Sequence, residues 1–400
     1  HKLDVKYQLG TDAYTTNYTD TWGYGHSNGT GSIEEQSVTN NEINSLLTVT
    51  YDWKITPELD LNVLYGNELV DNSSKYKYNL GSNFNFPGWN HIANASIYSS
   101  TGTYHRERTV GNFGNISLAY RNMLYLNATV RNDIVSSMPR NNRSFTYPSV
   151  SLGFIFTELE ALKNDVLTYG KIRASYGVNG TQPSTYYSYM QNMYRAGQIY
   201  NGQSGMGVIG IGNPDLKWEK NKAFNLGLDL TFWDRLSLTF DYYTRKTSDL
   251  LMNKRISYVP GYYDPISFDP TTLQNVGSLK NQGVEFSLSS TNIQTQDLMW
   301  TTTFNIGHNK NKLVKLDGVQ SDEIDEALIH RVGEPYYSYY MFEYAGVDPQ
   351  TGNEMYYKND GSGETTTQVN EVRKVIVGHH DPKVEGGLTN FMKWKFIDFN

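Results

Sequence analysis

Few residues in this chain are spaced for chemistry. His379-His380-Asp381 sets three metal-ligating side chains in a row. Adjacent residues on an extended segment point to opposite sides, so one metal ion would not take both imidazoles. Asp348, Glu354 and Asp360 fall among Gly and Asn, but Lys358 and Asn359 break the regular acid spacing of a calcium loop. Glu34-Glu35 and Asp322-Glu323 are adjacent acids. Glycoside hydrolysis needs two carboxylates facing one bond across roughly 5–10 Å, which adjacency does not supply. There is no GxSxG, HExxH or phosphate-binding loop. We expect no catalytic residue, no metal and no cofactor.

Aromatic clusters are the stronger signal. Phe84, Phe86 and Trp89 lie in NFNFPGWN; Tyr186, Tyr187 and Tyr189 form a second group; Tyr258, Tyr262 and Tyr263 form a third. Ring faces stack on sugars or peptide side chains while neighbouring amides hydrogen-bond, so these are candidate substrate contacts. The plainer role for such rings is packing loops together or meeting a partner protein.

The elements that must hold these clusters are strands. Phe224, Leu226, Leu228, Leu230 and Phe232 alternate with small or polar residues; after Trp233-Asp234-Arg235, Leu236, Leu238, Phe240 and Tyr242 alternate again. Period two puts one set on each face, and two such runs about a short turn make an antiparallel hairpin. The opposite face carries Asn225, Asp229, Ser237, Thr239 and Asp241. The pattern recurs along the chain and gives about 14 strands. Joins at Trp53–Leu59, Tyr120–Leu124 and Phe232–Leu236 are tight, whereas Gly10–Asn44, Gly66–Arg106, Asn179–Lys220 and Lys246–Lys280 read as long loops. Short turns on one side and long loops on the other mark an outer-membrane barrel. The hairpin residues Leu226, Leu228, Leu230, Leu236, Leu238 and Phe240 should then face lipid. One helix is expected, over Ser321–Arg331, from a capping serine, early acids and a basic end.

Composition fits. Aromatics make up 14% of 400 residues, with 32 Tyr and 7 Trp, which favour surfaces dry on one side and wet on the other. Mean hydropathy is −0.56, and no stretch approaches the roughly 18 apolar residues of a membrane helix; transmembrane strands need only half their residues apolar. A net charge of −7 argues against a nucleic-acid partner, and the lack of cysteine excludes disulfides and thiolate ligands. HKLDVKYQLG has no signal-peptide pattern and reads as a strand already under way, so an interior portion of a longer protein is expected. Two other classes fit a β-rich chain: a secreted or surface glycan-binding or adhesive protein with its apolar faces buried between sheets, and a glycosidase on a β scaffold.

Several ordered segments carry a resemblance: KIRASYGVN (Lys171–Asn179), IGNPDLKWE (Ile211–Glu219), NVGSLKNQGVEFS (Asn275–Ser287), GVDPQTGNEMYY (Gly346–Tyr357) and DPKVEGGLTN (Asp381–Asn390), preceded by Leu124–Arg131 with Tyr147–Gly153. In this order they resemble SusC/RagA-type TonB-dependent transporters of the Bacteroidetes outer membrane, over about Arg106 to Asn400. The resemblance implies an all-β fold: part of a large antiparallel transmembrane barrel of the ~22-stranded class with a plugged lumen, long extracellular loops and short periplasmic turns. Residues 1–400 would be wall, with the plug domain and TonB-contacting segment before His1 and the last strands after Asn400. The partners implied are a SusD-like surface lipoprotein, TonB, outer-membrane lipid, and an oligosaccharide or oligopeptide as cargo.

Overall fold

The computed structural model describes residues 2–25, 29–190, 192–255, 271–316, 321–323 and 327–399. Thirteen strands form one antiparallel sheet in chain order. They are β1 (Lys2–Trp22), β2 (Ser32–Thr56), β3 (Leu59–Phe84), β4 (Ala95–Tyr120), β5 (Leu124–Val135), β6 (Ser144–Ile155), β7 (Leu167–Thr181), β8 (Glu219–Phe232), β9 (Leu236–Arg255), β10 (Thr271–Gln294), β11 (Leu298–Leu316), β12 (Glu385–Trp394) and β13 (Ile397–Phe399). Each strand pairs with its sequence neighbour, so every wall connection is a hairpin. Helical structure among the described residues is limited to single 3₁₀ turns.

The turns follow from local chemistry. Trp233 and Asp234 both take positive φ (51° and 52°), as do Arg121 and Asn122 (51° and 52°). Two successive left-handed residues make the turn whose twist matches that of paired strands. Arg235 N–H donates to the Phe232 carbonyl at 3.0 Å, and Met123 N–H to that of Tyr120 at 2.9 Å. These tight joins fall where the sequence predicts them and share one edge of the sheet.

Register turns period two into a continuous belt. Leu226 faces Tyr242, Leu228 faces Phe240, and Leu230 faces Leu238. One row runs Leu61, Leu118, Leu126, Leu152, Ala174, Leu226, Tyr242, Val284 across β3 to β10. Leu226 remains 44% exposed and Phe240 40%. A single sheet has nothing to cover this face, and hydrocarbon is the medium that matches it.

Two expectations need correction. Gly10–Asn44 and Gly66–Arg106 are not long loops, and Lys246–Lys280 is largely paired strand too, Lys246–Arg255 lying along Thr271–Lys280: β1 runs to Trp22, β2 starts at Ser32, β3 runs to Phe84 and β4 starts at Ala95. These strands reach 21–26 residues, against roughly 9–11 needed to cross a bilayer. Above the membrane both faces of a strand meet water, so alternation disappears while pairing continues. The described residues of Ser321–Arg331 are not helical either. Ser321–Glu323 and Leu328–Arg331 pair as strands, Ser321 opposite Arg331, and Ile329 pairs with Ser338. Ile329 is buried, so long-range pairing overrides the local helix signal.

Packed cores are small. Ile33, Phe84 and Ala95 cluster with Ile92 beneath the β3–β4 loop, and Val135, Met138 and Trp218 cluster with Phe145 near the outer ends of β5 and β6.

Candidate functional site

The face opposite the belt is polar and cross-linked. Arg173 on β7 donates Nε–H to Asp229 Oδ2 at 2.7 Å and Nη2–H to Asp229 Oδ1 at 3.0 Å, and reaches Asp241 at 3.0 Å. Nearer the outer side, Arg131 bridges Glu68 at 2.7 Å and Asp133 at 2.8 Å. Asn115, Asn127, Ser117 and Thr129 form an amide and hydroxyl ladder between them. Each arginine thus has two acids, so each of these clusters carries a net negative charge.

Glycines let these groups lie flat. A Cβ on Gly227 would stand 2.6 Å from the Arg173 guanidinium carbon, and one on Gly66 would stand 2.1 Å from the Phe113 ring. The guanidinium and the ring therefore rest against the strands. A concavity of about 850 Å³ opens here, lined by Asn62, Ser117, Asn127, Arg173, Ser175 and Asn225 among others. A second, of about 490 Å³, is bordered by Asp241, Tyr243, Glu285, His308 and Glu385.

The aromatic clusters separate into distinct settings. Phe84 is 3% exposed at the end of β3, so it supports the loop and is not available to cargo. Phe86, Trp89 and His91 form an exposed stack with centroids 5.9 and 5.2 Å apart and interplanar angles of 17° and 2°. Buried Asn94 fixes it by donating Nδ2–H to the carbonyls of Phe86 and Trp89, both at 2.8 Å. Tyr186, Tyr187 and Tyr189 are half-buried above β4. Tyr186 packs on His105 at 5.6 Å, and the Tyr187 hydroxyl donates to the Arg106 carbonyl at 2.8 Å. Burial, reinforced by Glu107, raises the Tyr186 phenol above its ordinary range. Tyr258, Tyr262 and Tyr263 lie outside the described residues.

The remaining candidates are local ties. Asp348 accepts from Gln350 N–H at 2.9 Å and Thr351 Oγ1–H at 2.7 Å, and the Thr351 bond leads in holding its carboxyl below the usual range. His380 Nδ1 lies 3.0 Å from Asp381 Oδ1, and His379 Nδ1 3.4 Å from Ser338 Oγ. Among the described residues no three His, Asp or Glu side chains converge for a metal. The loop after β11 folds back along it: Leu313 N–H donates to Glu334 O and Gly333 N–H to Leu313 O, both at 2.8 Å. Tyr336, stacked on His330 at 4.1 Å, has its phenol pushed up to about 12 by burial.

Sequence reasoning missed the Arg173–Asp229–Asp241 link, although charged residues at inward positions of leucine-rich strands were its signal. It also left IGNPDLKWE without a mechanism. Trp218 Nε1–H donates to Asn142 O at 3.0 Å, Asn213 Nδ2–H to Leu273 O at 3.1 Å, and Lys217 N–H to Asn275 Oδ1 at 2.8 Å. The motif ties the outer ends of β5, β8 and β10 together.

A model of the TonB dependent receptor-like β-barrel matches residues 1–369. The chain belongs to this family. It is therefore part of an outer-membrane barrel. It is 33% identical to TonB-dependent receptor P3 of Formosa agariphila, over 72% of this chain and 30% of that protein. It is 30% identical to TonB-dependent receptor SusC of Bacteroides thetaiotaomicron, over 76% of this chain and 32% of that one. The chain spans about a third of the length of the curated relatives it matches. Solved structures of the RagAB peptide transporter superpose with a TM-score of 0.86 at 25% identity, covering 98% of this chain and 44% of that one. The 'open-open' state of the RagAB peptide importer gives 0.87 at 25%, covering 99% and 44%. The SusC/RagA resemblance and the barrel class are thus both borne out.

Proposed function

We propose that the protein containing this chain imports oligomeric nutrients, oligosaccharides or oligopeptides, across the outer membrane in a TonB-dependent step, together with a SusD-like surface lipoprotein. One observation carries the reading: a single wall presents an apolar belt to one side and a polar face cross-linked by ion pairs to the other. Such a wall separates lipid from a wet passage. SusC and the RagAB importer, which this chain resembles, make nutrient uptake the natural cargo class.

In this reading the residues described supply wall and outer loops. A plug domain, a TonB-contacting segment and closing strands would belong to the rest of the protein, the curated relatives being about three times as long as the matched part. The outer membrane has no nucleotide triphosphate, so energy arrives mechanically through the plug. Phe86 and Trp89, with Tyr186, Tyr187 and Tyr189, are the proposed aromatic contacts for cargo; Tyr262 and Tyr263 join them on sequence grounds alone. No catalytic step is assigned. The secreted glycan-binding alternative would bury the belt under a second sheet, whereas Leu226 and Phe240 stay exposed.

The test is growth. A strain lacking the full receptor should lose growth on an oligomeric carbon or nitrogen source and keep growth on its monomers, with rescue by the intact gene. Equal growth on both would refute import.

A further inference from the structure

The arginines of the outward face are arranged unlike those of the lumen. On the belt face of β3 and β4 the hydrogen-bonded pair Asn67 and Asn112 precedes Leu69 opposite Val110, the last apolar pair toward the outside; next come Asp71 opposite Arg108, Ser73 opposite Arg106, Lys75 opposite Tyr104 and Lys77 opposite Gly102. From Leu59 to Leu69 a strand tilted by about 40° rises roughly 25 Å, the height of a barrel's apolar band. Arg108 and Arg106 therefore begin where hydrocarbon ends.

Asp71 holds the two guanidiniums together. Arg106 donates to both of its oxygens at 2.8 and 2.6 Å, and Arg108 Nε–H to Oδ2 at 3.0 Å. These bonds use three of the roughly ten N–H donors that two arginines carry. The side chains remain 46% and 59% exposed. Arg131 and Arg173 in the lumen each meet two acids; here two arginines share one, with Lys75 and then Lys77 further out along β3 and Glu35 beside Lys77. On β2 the residues opposite Lys75 and Lys77 are Thr39 and Ser37, which add hydroxyls and no charge.

We propose that Arg106 and Arg108, positioned by Asp71 and flanked by Lys75 and Lys77, bind the phosphate of an outer-leaflet saccharolipid. Paired guanidiniums match phosphate oxygens, the height matches a headgroup, and the excess positive charge needs an anion that stays in place. The hydroxyl-rich face above the arginines suits the sugars attached to that phosphate. The assignment rests on placement in the outer membrane and is independent of any cargo.

Native mass spectrometry of the intact receptor in mild detergent, titrated with monophosphorylated lipid A and with its dephosphorylated form, tests it. Selective retention of the phosphorylated form is expected; equal retention of both would overturn the proposal, and this comparison needs no variant. The double variant R106Q/R108Q, accepted as folded by its heat-modifiable gel mobility, should bind the phosphorylated lipid roughly tenfold or more weakly. Undiminished binding by R106Q/R108Q, or displacement of the lipid by inorganic phosphate at equal concentration, would also overturn it.

Discussion

Arg173 reaches across to Asp229 and grips both of its carboxylate oxygens, at 2.7 and 3.0 Å. With Asp241 on the next strand it staples β7, β8 and β9 from the lumen side. Arg173→Gln would leave two carboxylates facing each other on one wall, and should lower barrel stability by about 1–3 kcal/mol. The check is the temperature at which the folded band is lost on gels. Adding Asp229→Asn should restore part of the loss, since partners in one network are not additive.

Leu228 and Asn225 sit on opposite faces of β8. Leu228→Arg should cost about 2–4 kcal/mol near the bilayer midplane and cut the receptor's yield in outer-membrane fractions. Asn225→Lys, on the lumen face, should assemble at the native level. Equal yields of the two variants would contradict the assignment of faces.

Asn94 is the clamp under the Phe86–Trp89–His91 stack. Asn94→Ala removes both carbonyl contacts and should raise hydrogen exchange across residues 85–94 while sparing β3 and β4 below. Uptake should fall with it if the stack touches cargo.

Trp218 fills the cluster of Val135, Met138 and Phe145. Trp218→Ala should cost about 3–5 kcal/mol by leaving a cavity. Faster limited proteolysis in residues 136–143 and 211–218 is the expected readout, with the belt strands unaffected.

How far the sequence carried depended on the solvent on each side. Where lipid meets one face, as from Leu226 to Phe240, the choice at every second residue is forced, and strands, turns and faces were all readable. Above the membrane that constraint lapses: Asn17, Ser37 and Ser74 lie in paired strands but carry no alternation, so their segments passed for loops. The helix read at Ser321–Arg331 failed because local capping signals cannot register a strand partner at Ser338. Site residues were harder still. Arg173 and Asp229 are 56 positions apart, and only register brings them together. Phe84 and Phe86 look equivalent in NFNFPGWN, yet one is buried and the other exposed, a difference set by the Asn83 left-handed turn and the Ile33–Ala95 cluster.

The glycines beneath Arg173 and Phe113 set the bore of the conduit. Wherever the neighbouring strand offers only hydrogen, a long side chain can recline along the wall; an alanine at Gly227 would lift the guanidinium and tilt it toward the axis. Clearance along the inner face is thus written in the positions that have no side chain; under the proposed import, replacing them would throttle transit while leaving every strand paired.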